Sequence, residues 1–234
     1  MATIIGIDLG ETTTRFGYYR NGEPILIRSE SGEYRIPSVV TYTEDRILID
    51  HSAAENAHKY STTSVYSNTP ITIEFLHVIL RFYIVESKRL LGLSFNNPQV
   101  QEDIRKFKYV VEGPQGFPKI IVNNEEVHPE EISALILNKV KPLAENRLEE
   151  RICEAVITVP GDFGSLQTEA TMDAAYMAGF ETVHLITEPV AAAVAHRHER
   201  NDTDIQPKNL LIHPKDDSSK SHTRFSSHHI SLPI

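Results

Sequence analysis

The sequence of 234 residues has a single cysteine, Cys153, and no tryptophan. One thiol excludes an internal disulfide framework and any cysteine-rich zinc module. Its place in the apolar run Ile152-Cys153-Glu154-Ala155-Val156-Ile157 predicts a small buried side chain. Basic residues are in deficit, with 23 Lys and Arg against 32 Asp and Glu and a formal charge of −9. Phosphodiester backbones need a broad basic surface, so no nucleic-acid partner is expected. Long hydrophobic runs are also missing. The most apolar stretch, Ile71 to Val85, holds 11 apolar residues in 15 and is broken by Glu74, His77 and Arg81, whereas a membrane helix needs about 20, so no membrane partner is expected. The apolar N-terminus lacks a basic segment and is too short for a secretory signal, which makes the cytoplasm the expected compartment. Neither a Walker loop nor a Gly-x-Gly-x-x-Gly element occurs, so P-loop and Rossmann readings lose their main support. What remains, at 40% hydrophobic and 24% charged with nine Phe and nine Tyr, is enough chain and apolar surface for one large domain or two small ones.

The first fifty residues read as a meander. Thr3 to Gly10 is β-branched and apolar, and Arg15 to Arg20 reads as its antiparallel partner. Asn21-Gly22 suits a type I′ turn into a third strand from Glu23 to Arg28. Ile36 to Thr43 and Arg46 to Ile49 are further strand candidates. Later the period changes. Glu130 to Leu148 has apolar residues at helical spacing and acids in its first turn, although the interior Pro142 predicts a kink or an early stop. There follow a strand (Ala155 to Val159), a helix (Ser165 to Ala178) stopped by Gly179, a strand (Val183 to Thr187) and a helix (Pro189 to His198). Such alternation implies parallel strands.

Two stretches fit poorly. Ser67 to Val85 is compatible with an amphipathic helix, because Glu74, His77 and Arg81 lie three and four apart, or with a buried strand. Residues 213–234 contain six Ser and four His and read as a disordered tail. His222, His228 and His229 there have no fixed scaffold or carboxylate partner to make a metal site.

Chemistry concentrates in Gly6-Ile7-Asp8-Leu9-Gly10-Glu11-Thr12-Thr13-Thr14. An aspartate near the end of an apolar strand, then a glycine and hydroxyl residues in a tight turn, suits phosphate: backbone N–H groups and hydroxyls donate to its oxygens, and a carboxylate can hold Mg²⁺ through water. The same residues equally describe a hairpin turn with a capping Asp8. Three further stretches bear on the choice: Lys88-Arg89-Leu90-Leu91-Gly92, Ala155-Val156-Ile157-Thr158-Val159-Pro160 and Thr187-Glu188-Pro189-Val190-Ala191-Ala192-Ala193-Val194-Ala195. With Pro129-Glu130-Glu131-Ile132, they stand in the order and character of the 70-kDa heat-shock chaperone family. From about Ile4 to Ile212, apart from Ser67 to Val85, the chain resembles the N-terminal lobe of that family's ATPase domain.

The resemblance implies an α/β fold of the actin-like (ribonuclease H-like) class, a mixed sheet with flanking helices, and ATP with Mg²⁺ as cofactors. It implies Asp8 as the carboxylate holding Mg²⁺ through water, and Gly10, Thr12 and Thr13 as the first phosphate loop. Lys88 would be the catalytic lysine near the γ-phosphate and attacking water, where a fixed ammonium offsets developing charge; without the family context it is an ordinary helix-surface lysine. Glu188 would orient the metal's water shell and couple nucleotide state to lobe movement; by itself a Glu-Pro pair is merely a good helix start. Unfolded polypeptides and co-chaperones are the implied partners, and stress response the implied setting.

The chain departs from the family in several places. Glu11 stands where a threonine is usual and sets a carboxylate beside the triphosphate; like charges 4 Å apart repel by about 4 kcal/mol at an effective dielectric near 20. Asp162 replaces an aromatic, and Thr187 and Val190 replace Asn and Thr around Glu188-Pro189. Asp162-Phe163-Gly164 matches a kinase string without the accompanying kinase loops and reads as coincidence. After Ile212 the family would continue into a second glycine-rich phosphate loop, the other lobe and a peptide-binding domain. Deleting the 19 residues 67–85 joins Tyr66 to Glu86 and restores the family's spacing. The expectation is therefore a lobe over residues 1–212 interrupted by a 67–85 insertion that disturbs Lys88, with a tail at 213–234, both segments arising from unspliced intron. A lone lobe offers half a nucleotide site, so ATP binding and hydrolysis are expected to be weak or absent. The alternative is a non-catalytic interaction module; a small-molecule kinase of the same architecture would lack the Lys88 and Glu188 motifs.

Overall fold

The computed structural model describes residues 3–43, 46–55, 83–113 and 116–200. The tail from 201 onward and residues 67–82 of the poorly fitting stretch lie outside them.

The central sheet is built on β1 (Ile4–Leu9), β2 (Thr13–Arg20), β3 (Glu23–Leu26), β11 (Glu154–Val159) and β12 (Thr182–Thr187), in the order β12-β11-β1-β2-β3, with β4 (Ile36–Pro37) joined to β2. It is mixed: β1 pairs in parallel with β11, and β11 with β12, while β1, β2 and β3 form an antiparallel meander. The turn between β2 and β3 carries Asn21 at φ 56° and Gly22 at φ 85°, as a type I′ turn requires.

Alternation along the strands decides which face becomes core. Ile5 stands opposite Tyr18 and Ala155, and Ile7 opposite Phe16 and Ile157, so odd-numbered β1 residues meet apolar partners on both sides. All six are buried. Three longer helices flank this sheet: α2 (Pro129–Leu148), α3 (Ser165–Met177) and α4 (Glu188–Arg200). Helix α3 buries small side chains, Ala170, Thr171, Ala174 and Ala175, which lets it approach its neighbours closely. Its chain exit uses Gly179 at φ 85°, the left-handed residue expected there.

Helix α2 corrects the expected early stop at Pro142, since the helix runs through to Leu148. Pro142 and Asn138 are both exposed, so the Asn138 carbonyl that loses its i→i−4 donor is left to water rather than orphaned in the core. The N-terminus of α2 is closed by Glu131, whose carboxylate accepts the His128 N–H at 2.7 Å.

Two small sheets complete the described fold. One is β6-β5-β7, with β5 (Val39–Tyr42), β6 (Ile47–Ile49) and β7 (Tyr83–Val85); the other is β10-β9-β8, with β8 (Val110–Glu112), β9 (Lys119–Val122) and β10 (Glu125–Val127). Strand β7 is the last part of the stretch that fitted neither a helix nor a strand clearly. It pairs antiparallel with β5, Ile84 is fully buried, and the Tyr109 hydroxyl donates to the Val85 carbonyl at 2.8 Å. Those three residues are therefore sheet, and they lead directly into the turn carrying Lys88. Cys153 is half-buried rather than buried, at the entrance to β11.

Candidate functional site

The three parallel strands end at one edge, where α/β sheets characteristically bind ligands. Strand β1 delivers Asp8, β11 delivers Thr158, and β12 runs straight into Glu188 at the start of α4. The Thr158 hydroxyl donates to Asp8 Oδ1 at 3.0 Å, which fixes the carboxylate's direction.

The turn after Asp8 closes tightly. Gly10 N–H donates to the Asp8 carbonyl at 3.1 Å, and a Cβ on Gly10 would lie 2.3 Å from the Thr13 carbonyl oxygen. Only glycine fits that approach. The far side of the turn is held by Ser38, whose N–H donates to the Thr12 carbonyl at 2.9 Å, and by a hydroxyl contact of 2.9 Å between Thr14 and Ser38. Thr12 is exposed and Thr13 half-buried on this loop.

Lys88 comes from a single 3₁₀ turn, Ser87–Leu90, whose anchors are apolar: Leu90 and Leu91 are fully buried. Gly92, at φ 61°, lets the chain pass against the first turn of α3, since a Cβ there would stand 2.5 Å from the Leu166 backbone. With its neighbours so fixed, Lys88 is only 6% exposed and its Nζ donates to the Leu9 carbonyl at 2.5 Å and to Glu188 Oε1 at 3.4 Å. The ring of Phe163 faces the same ammonium, 5.7 Å from its centroid. The stretch 67–85, expected as an insertion that disturbs Lys88, ends in β7, three residues before that lysine.

Arg89, next along, reaches the other way. Its Nε pairs with Asp103 Oδ2 at 3.2 Å, and its Nη1 lies 3.4 Å from Glu86 and 3.9 Å from Glu11. Desolvation alone would lower its pKa, but Glu11, Asp103 and Glu86 together raise it above the ordinary guanidinium value. Asp103 sits on α1 (Pro98–Ile104), 1% exposed, with Oδ1 lacking a hydrogen-bond partner.

The residues singled out from the sequence therefore sort into two groups. Asp8, Gly10, Lys88 and Glu188 converge at one edge, with Thr12 and Thr13 on the turn between β1 and β2. Thr158, Phe163 and Arg89 belong to the same neighbourhood although their roles were not legible. Thr158 had a signal in its place near the end of a β-strand, two residues before Pro160; Phe163 had none, because its contact with Lys88 spans 75 residues of chain. Glu11, read as an uncompensated charge, has Arg89 at 3.9 Å.

An all-oxygen environment of a carboxylate, hydroxyls and backbone groups has the hard-donor chemistry that Mg²⁺ prefers, and Asp8 retains an oxygen not engaged by Thr158. Among the described residues no three His, Cys, Asp or Glu side chains converge as a direct metal cage. No helix among them is long and apolar enough to cross a membrane.

A family model described as Hsp70 protein matches residues 4–213. The chain is 36% identical over 206 residues to a protein named Chaperone protein DnaK from Carsonella ruddii (strain PV), an alignment covering 87% of this chain and 31% of that protein. The chain thus spans about a third of the length of the curated relative it matches.

Proposed function

Starting from the chain's membership in the 70-kDa heat-shock protein family, to which it belongs, we propose that it carries one side of an ATP site, and that its lineage is ATP-dependent protein folding. The single observation that supports this best is the Lys88 bridge, an ammonium linking the carbonyl before Gly10 to the carboxylate that opens α4. Those are the two groups between which a polyphosphate would lie. The sheet belongs to the actin-like class of that family's ATPase domain, mixed and flanked by helices.

In this reading the backbone N–H groups from Gly10 onward and the Thr12 and Thr13 hydroxyls bind phosphate oxygens, and Gly10 allows their close approach. Asp8, oriented by Thr158, holds Mg²⁺ through water; the cation, when bound, supplies neutralisation of charge on bridging phosphate oxygens. Lys88 holds positive charge where negative charge grows on the transferred group. Glu188 restrains Lys88 and orders water at the same edge.

Within residues 1–212 we take the lobe as one unit interrupted by 67–85, with 213–234 as a tail. Because the 234 residues carry no Asp-Leu-Gly-Gly-Gly loop, these residues by themselves supply one wall of the cleft, and ATP binding should be weak. Unfolded polypeptides and co-chaperones are the partners this lineage implies, with the cytoplasm as the setting.

Isothermal titration with Mg-ATP at millimolar concentration tests the reading. It expects weak heat that vanishes in Asp8→Ala, and little or no turnover; family-like turnover abolished in Lys88→Ala would overturn the one-wall account. A second reading, a non-catalytic interaction module, has its own support in Val190 and Val194, which lie one turn apart on α4 and are 50% and 59% exposed. It expects no heat with Mg-ATP at all.

A further inference from the structure

The short turn that carries Lys88 is fixed from two sides by different forces. On one side Leu90 and Leu91 are fully buried, and Gly92 passes against the first turn of α3. On the other, Glu86 enters the turn at φ 55° and ψ 22°, a left-handed conformation that a non-glycine residue keeps only when its surroundings hold it. Arg89 does the holding: its Nη1 donates to Glu86 Oε2 at 3.4 Å and its N–H to the Glu86 carbonyl at 3.0 Å. One residue, Ser87, separates Glu86 from Lys88.

Arg89 is in turn gripped from α1. Asp103 Oδ2 pairs with its Nε at 3.2 Å and also accepts from Gln99 Nε2 at 3.2 Å. Asp103 is 1% exposed and its Oδ1 has no hydrogen-bond partner; Lys106 stays 3.8 Å from that oxygen and is itself held by Glu102 at 2.6 Å. Release of Arg89 would therefore strand a buried carboxylate with its charge uncompensated. The backbone of Asp103 is pinned as well, since its carbonyl accepts the N–H groups of Lys106 at 2.8 Å and Phe107 at 3.1 Å. Contacts thus run from Asp103 through Arg89 to Glu86, and the last two bracket Lys88.

We propose that Asp103 is a positioning residue for Lys88, aiming its ammonium at the Leu9 carbonyl and Glu188 through Arg89. The inference rests on reading Lys88 as the ammonium that faces the transferred phosphate, and Asp103 acts at one remove from that chemistry. A guanidinium suits the link, because its donors form a fixed fork that can hold two carboxylates at once, whereas an ammonium is a flexible point charge.

The test follows acetylation of Lys88 by mass spectrometry in the full chain, with Lys119 on β9 as internal reference, for the parent, Asp103→Asn, Arg89→Lys and the double variant. Labelling of Lys88 relative to Lys119 should rise about fivefold in each single variant, the factor set by one ordinary hydrogen bond, and no further in the double variant. Parent-like labelling in Asp103→Asn, whatever its urea midpoint, would reduce Asp103 to a structural acid and overturn the proposal. Effects that multiply in the double variant would overturn it too. Should Asp103→Asn not fold, Arg89→Lys keeps the charge and decides, with parent-like labelling again the overturning result. Millimolar Mg-ATP in the same assay separates the two layers. Protection of Lys88 in the parent supports the nucleotide reading; no protection alongside the fivefold rise overturns that reading and leaves the aiming of the ammonium intact.

Discussion

Lys88 Nζ lies 2.5 Å from the carbonyl oxygen of Leu9 although the two residues are 79 apart in sequence. The contact ties the end of β1 to the turn that follows β7, and the 3.4 Å approach to Glu188 extends the tie to α4. Removing the ammonium leaves a carbonyl at the strand end without its donor. Lys88→Met should therefore destabilise the fold by about 1–3 kcal/mol in urea unfolding at pH 7. An unchanged midpoint would mean that water replaces Lys88 at no cost.

Phe163 offers its ring to the same ammonium at 5.7 Å. Phe163→Leu keeps apolar bulk and deletes the ring's negative face, so it should cost about 0.5–1 kcal/mol. The loss should disappear when Lys88 is already methionine. A double-mutant cycle reads that coupling, and a cycle that closes to zero would reduce Phe163 to a spacer.

Gly92 combines φ 61° with a backbone neighbour 2.5 Å from where a Cβ would be. Gly92→Ala has to move either the turn carrying Lys88 or the first turn of α3, and a loss of at least about 2 kcal/mol is expected. Gly22→Ala is the comparison: its φ is 85°, but nothing lies within 4 Å of the added carbon. Its cost should be only about 1 kcal/mol. Thermal melts of the two variants separate crowding from backbone strain.

Pro142 sits inside α2 with its face to solvent. Pro142→Ala restores one helical hydrogen bond and removes the ring's clash, while giving the unfolded chain more freedom. The net expectation is a gain of about 1–2 kcal/mol. A loss would show that the proline's shape is part of the packing.

Glu145 ties the end of α2 to the entrance of β11, accepting from Lys141 Nζ and from the Ile152 N–H at 3.0 Å. Desolvation opposes its charge, but the hydrogen bonds from Lys141 and Ile152, with the field of Lys141 and Arg151, outweigh it and lower its pKa below 4.5. A carboxylate whose pKa is depressed by folding contributes stability above its unfolded pKa and loses it as pH falls through the folded value. Glu145→Gln should therefore be less stable than the parent at pH 7, by roughly 1 kcal/mol, and the gap should narrow below about pH 4.5. A gap independent of pH in urea titrations would remove the charge from the explanation.

Much of the fold was legible because it rests on local rules. The β1–β2–β3 meander follows from alternation and the Asn21-Gly22 turn, and the order of strand, helix, strand and helix after Ala155 from periodicity and Gly179. What local rules handled badly was any balance settled by surroundings. Pro142 predicted a kink or an early stop, and the helix does not stop there because the Asn138 side of it is exposed. Tyr83 to Val85 had no clear period, and pairing with β5 made it a strand. The short strands β8 to β10 carry too few residues for a pattern to stand out.

Residue types and their order along the chain determined by themselves that an aspartate would end an apolar strand, that a glycine would turn it, and that parallel strands would follow, because steric and hydrophobic preferences act over a few neighbours. Only the tertiary structure decided that Lys88 reaches Leu9 and Glu188, that Phe163 faces it, and that Arg89 is divided among Glu11, Glu86 and Asp103. Those partners lie up to 100 residues apart, and a charge's neighbours across such distances depend on how layers pack, which no short window of sequence contains.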